Sequence, residues 1–87
     1  MKVIRKEIDI ICWFDKKGNP KPLRFRISDK DGINNVIKID DIITVSKEKL
    51  AGNQMIVFEC QGFINGLLKR FVIKYELSTC RWILFKI

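Results

Sequence analysis

Apolar and polar residues in this chain either alternate with period two or run apolar for four to eight positions. Nowhere do they hold the i, i+3, i+4, i+7 spacing of an amphipathic helix over several turns. Turn-forming residues punctuate the pattern, with Gly18, Gly32, Gly52 and Gly66 each in a polar connection. These breaks predict six strands, over 7–14, 23–28, 36–46, 55–64, 67–75 and 81–87.

The firmest element is the hairpin around Asn65-Gly66, because this dipeptide supplies the two positive-φ residues of a type I′ turn and so fixes the register of both arms. In the third strand Asp40-Asp41 interrupts the apolar positions and predicts a bulge, and Gly62 in the fourth predicts a bend. Ser46 as a cap, with Gly52 as a stop, predicts one helical turn from Lys47 to Leu50. Composition agrees with strands: 15 Ile and 5 Val stand against a single Ala, Ala51. The expected fold is all-β, one domain over 1–87, with the six antiparallel strands forming a small barrel or strongly curled sheet.

Alternation assigns side chains to faces. Ile8, Ile10, Cys12 and Phe14 are expected inward and Ile11 and Trp13 outward; Leu23, Phe25 and Ile27 inward and Arg24 and Arg26 outward. In the fifth strand Leu67, Phe71, Ile73 and Tyr75 are expected inward, Arg70 and Lys74 outward, with Lys69 a misfit on the inward side that reaches water at the strand end. In the sixth, Ile83, Phe85 and Ile87 are expected inward and Trp82, Leu84 and Lys86 outward. A one-residue slip of register would reverse any of these assignments and bury the tryptophans.

The net charge is +7, and it is concentrated in the terminal thirds: residues 1–26 carry +5, residues 27–66 carry −2 and residues 67–87 carry +4. If the first and last strands pair, the two basic segments merge into one field. Outward Trp13 and Trp82 among Lys16, Lys17, Lys21, Arg24, Arg26, Arg70 and Lys74 then match the pattern of single-stranded nucleic-acid or RNA binding, in which cations track phosphates and rings stack on bases. The basic loop from Lys16 to Pro22 fits a phosphate-gripping finger in the same scheme. The alternative reading is a homodimer or protein-partner interface built from Ile11, Trp13, Trp82 and Leu84.

Several chemistries are excluded or disfavoured. The chain has no His, so neither a Ser-His-Asp nor a Cys-His pair exists, and a non-enzymatic binding module is expected. Cys12, Cys60 and Cys80 are too far apart in sequence for a zinc motif, and no glycine-rich nucleotide fingerprint or Walker loop occurs, so no metal and no cofactor are expected. The run Asp29-Lys30-Asp31-Gly32 has its glycine misplaced for a calcium loop and reads as a polar turn; adjacent Asp40 and Asp41 point to opposite faces of a strand and make no catalytic pair. Cys12 and Cys60 read as small core residues, leaving Cys80 as the reactive thiol. An odd cysteine count and an N-terminal apolar run of only Ile10 to Phe14 point to a cytoplasmic protein without membrane attachment.

Overall fold

The computed structural model describes all 87 residues, Met1–Ile87, and places seven strands in one strongly curled half-barrel sheet without helices. The strands are β1 (Val3–Phe14), β2 (Pro20–Ser28), β3 (Asn34–Lys38), β4 (Asp41–Leu50), β5 (Asn53–Ile64), β6 (Leu67–Glu76) and β7 (Arg81–Lys86). Their order across the sheet is β3-β2-β1-β7-β6-β5-β4, with every neighbouring pair antiparallel. The Asn65-Gly66 turn forms as expected, with φ of 52° and 78°, and Ile64 sits opposite Leu67.

The expected third strand is divided into β3 and β4 at Ile39-Asp40, one position ahead of the expected bulge. Its two halves serve opposite edges of the sheet. The Ile39 amide donates to the Leu23 carbonyl of β2 at 3.0 Å, and the next amide, Asp40, donates to the Gln61 carbonyl of β5 at 3.0 Å. Gly62 permits this crossing, since a Cβ there would collide with the Lys38 carbonyl oxygen. The predicted bend is thus a point of backbone contact. The Asp40 carboxylate then accepts from the Phe63 amide at 3.2 Å and holds the end of β5 against the corner.

Inside the curl, Phe25, Phe58, Cys60, Phe71, Ile73, Trp82 and Leu84 form the buried centre, with Ile8, Ile10 and Cys12 packed beside them. Aromatic rings pack inside it: Phe25 of β2 meets Phe71 of β6 across the curl at 5.4 Å between centroids, and Trp82 meets its cross-strand partner Tyr75 at 4.7 Å.

Four expectations are corrected. Trp82 and Leu84 face the core, at 6% and 0% exposure, while Ile83 and Phe85 lie on the outer face. The cause is a bulge: Ile73 pairs with Leu84 but Val72 pairs with Lys86, so Phe85 is an extra residue and the parity counted from Ile87 inverts upstream of it. A second bulge, between Ile11↔Arg24 and Cys12↔Pro22, makes Leu23 the extra residue of β2; Pro22 takes the buried place and Leu23 is exposed. Leu67 and Phe14 are exposed too, because each lies at the end of a hairpin arm beyond the core. The expected helical turn from Lys47 to Leu50 is strand, paired with β5 as far as Leu50↔Asn53. Ala51 and Gly52, with φ of 51° and 83°, form a two-residue hairpin turn there, so cross-strand pairing overrides the local capping signal.

Candidate nucleic-acid interface

The first and last strands do meet. Glu7 lies opposite Ile83 and Ile8 opposite Trp82, and beyond Ile8 the strand β1 leaves β7 and pairs with β2 instead. The basic residues gathered by this meeting divide between two outer faces.

One face is carried by the second half of β1, with β2 and β3. Three rows of side chains cross it: Trp13 beside Lys21; Ile11 beside Arg24 and Lys38; Asp9 beside Arg26 and Val36. Rows two residues apart along a strand are separated by about 7 Å. Trp13 is 65% exposed. Lys21 and Arg24 form no ion pair, whereas Arg26 binds Asp9 at 2.8 Å. Lys38 approaches Asp40 at 3.9 Å, near the limit of a salt bridge. A shallow depression of about 380 Å³ lies among Ile11, Arg24, Arg26 and Val36.

Lys16 and Lys17 stand at the end of this face in the β1–β2 turn. Asp15 organises the turn: its Oδ1 accepts from the Lys17 and Asn19 amides, both at 2.9 Å, and its Oδ2 accepts from the Asn19 side-chain amide at 3.3 Å. These bonds, led by the Asn19 amide, hold the Asp15 carboxyl below its ordinary value, although the group is at the surface. The lysine finger is therefore a shaped turn.

The other predicted residues lie elsewhere. Arg70 is on the outer face of β5 and β6, 3.7 Å from Glu59. Lys74 is also on that face but is buried, with its ammonium 3.0 and 3.1 Å from the two Glu48 oxygens and 3.7 Å from the centroid of the Phe85 ring. Trp82 is in the core. None of these three joins Trp13. Of the alternative interface only Ile11 and Trp13 remain at the surface.

Val36 and Lys38 belong to the face and were absent from the expected set. Their signal was present, because Ile37 and Ile39 alternate with them and are buried. No group of three or more His, Cys, Asp or Glu side chains converges, and no helix is long and apolar enough to cross a membrane. No family model, curated protein or solved structure matches this chain.

Proposed function

We propose that the outer face of β1, β2 and β3 binds single-stranded nucleic acid, DNA or RNA, without catalysis. The observation that carries this reading is the exposed Trp13 ring beside Lys21, one row from the unpaired Arg24. A base stacks on the indole, while Lys21, Arg24 and Lys38, with Lys16 and Lys17 at the turn, contact the phosphates. Arg26 is held by Asp9 and contributes orientation more than free charge. The three free thiols agree with a reducing, cytoplasmic setting.

The test is titration of the full chain with a short oligothymidylate, followed by NMR at increasing salt. Amide and indole shifts are expected in Trp13, Lys21, Arg24 and Lys38, with log affinity falling by about 0.7 per phosphate contacted for each tenfold rise in salt. Absence of shifts at low salt overturns the proposal.

A second reading has its own observation: Ile11, Trp13 and Val36 leave apolar area exposed on this same face. A protein partner or second copy seated there would resist salt, and a salt-stable dimer in sedimentation would favour it over nucleic acid.

A further inference from the structure

The curled sheet does not close, and two unpaired edges border the gap. β4 pairs only with β5, so its other edge is unpaired. β2 pairs with β3 only from Arg24 onward, so residues 20–22 also lack a neighbour on that side. These two edges face each other across a seam in which Asn19 and Pro20 on one side oppose Val45, Ser46 and Lys47 on the other. No Cα of β4 lies within 8 Å of a Cα of β1 or β2. Paired strands stand about 4.8 Å apart, so these two edges are not paired with each other.

The floor and rim of the seam are chemically distinct. Val45 is 60% exposed although its cross-strand partner Phe58 is 1% exposed and in the core. Two adjoining depressions, of about 360 and 340 Å³, share Asn19, Pro20, Lys47 and Ile56. The first is floored by Val45, Ile56 and Phe58, and the second is bordered by Lys47 and Lys49. Glu48, between these lysines, is engaged by Lys74. Lys47 and Lys49 form no ion pair, so the rim presents their positive charge, with Lys16 and Lys17 next to the Asp15 carboxylate in the turn beside Gly18.

We infer that this seam is a docking site for an extended peptide strand of a partner protein, apolar where it faces Val45 and acidic where it faces Lys47 and Lys49, which adds to β4 over residues 44–50. The bulge at Ile43 sets the lower limit of that register, because Ile42 pairs with Cys60 and Thr44 with Glu59. Val45, Lys47 and Lys49 share one face of β4; main-chain hydrogen bonds to the β4 edge hold the peptide, and its side chains on that same face are apolar beside Val45 and carboxylates beside Lys47 and Lys49. Charge decides against a second copy. Pairing β4 with β4 across a twofold axis centred on residues 44–50 places the two Lys47 side chains opposite each other, and like charges directly opposed are destabilising.

The experiment uses the full chain and two synthetic hexapeptides, one with glutamate, glutamate and valine at alternate positions separated by threonine, and one with lysine in place of both glutamates. Amide shifts are expected on Asn19, Lys21 and residues 44–50 with the glutamate peptide, and affinity at least about tenfold weaker with the lysine peptide. The Lys47→Glu, Lys49→Glu double variant reverses that preference while keeping the same shifted residues. No shifts in those segments, shifts centred on Trp13, or a free chain that is already dimeric through β4 each overturn the inference.

Discussion

The Lys74 ammonium sits 3.7 Å from the centroid of the Phe85 ring, on the outer face of the sheet yet shielded from water. Glu48 completes the arrangement with both carboxylate oxygens, at 3.0 and 3.1 Å. Removing one partner leaves a buried charge without its counterion, whereas removing both leaves an apolar contact. Glu48→Gln is expected to destabilise by about 2 kcal/mol, and adding Lys74→Met to Glu48→Leu to recover most of the loss, both read by urea unfolding. Lys74→Met alone should leave oligonucleotide affinity unchanged, because this ammonium faces Phe85.

Trp13 and Arg24 are expected to separate stacking from charge. Trp13→Ala should weaken oligothymidylate binding by about 1–3 kcal/mol with little effect on stability, since the ring is mostly in solvent. Arg24→Ala should flatten the salt dependence by about one phosphate's worth. Fluorescence titration at several salt concentrations reads both, and an unchanged affinity in Trp13→Ala removes stacking from the account.

Gly62 is expected to tolerate no side chain. In Gly62→Ala the new methyl meets the Lys38 carbonyl, so the corner between β3 and β4 must shift or β5 must bow. The expected cost is about 1–3 kcal/mol, or roughly 4–8 °C of Tm for each kcal/mol in a domain of this size. Calorimetry checks it, and an unaltered Tm would show that the corner yields freely.

Acid should loosen the β1–β2 turn only as pH falls below the ordinary Asp range. The Asp15 carboxyl is lowered in the folded chain, first by the Asn19 amide, so its contribution is complete above the ordinary Asp range, about pH 4, and is lost as pH falls through the lowered folded value. The Lys17 and Asn19 amide resonances should follow that titration, and Asp15→Asn should abolish it. A midpoint at the ordinary value would contradict the hydrogen-bonded turn.

Thiol chemistry should distinguish the three cysteines. Burial, with a smaller contribution from the Glu59 charge, pushes the Cys60 thiol up to about 12, and burial also raises Cys12, whereas Cys80 is exposed. Under native conditions an aromatic disulfide reagent is expected to label Cys80 first and leave Cys60 untouched until the chain unfolds. Mass mapping of the labelled peptides checks the order.

The strands and the Asn65-Gly66 hairpin were legible because their signals are local: β-branched runs and a dipeptide that suits positive φ. Faces were legible where one parity is polar, as in β1, where Asp9 opposes Ile8 and Ile10. They were illegible from Trp82 to Phe85, where both parities are apolar and period two offers no choice. The outward pair there covers Lys74, which neither local pattern nor charge announces. Bulges compound the problem, since the extra residue Phe85 inverts the assignments upstream of it and the extra residue Leu23 brings Lys21 to the face of Arg24, neither with a local signature. The candidate face was accordingly half legible: Trp13 and Arg24 follow from alternation in β1 and β2, Lys21 joins them only through the bulge at Leu23, and the exclusion of Trp82 depends on the β6–β7 pairing, at the other end of the chain from Trp13.

The meeting of β1 with β7 also has a kinetic side. The strands β4 to β7 form a meander of successive hairpins that can zip from turn to turn, and β1 with β2 can do the same. The first half of β1 cannot be satisfied locally, because Val3 waits for Lys86 and Lys2 exchanges backbone hydrogen bonds with Ile87. During synthesis that half-strand must remain unpaired until the last strand has emerged. Its docking closes the longest loop in the chain, so the rate-limiting event of folding is expected at the junction of its two ends.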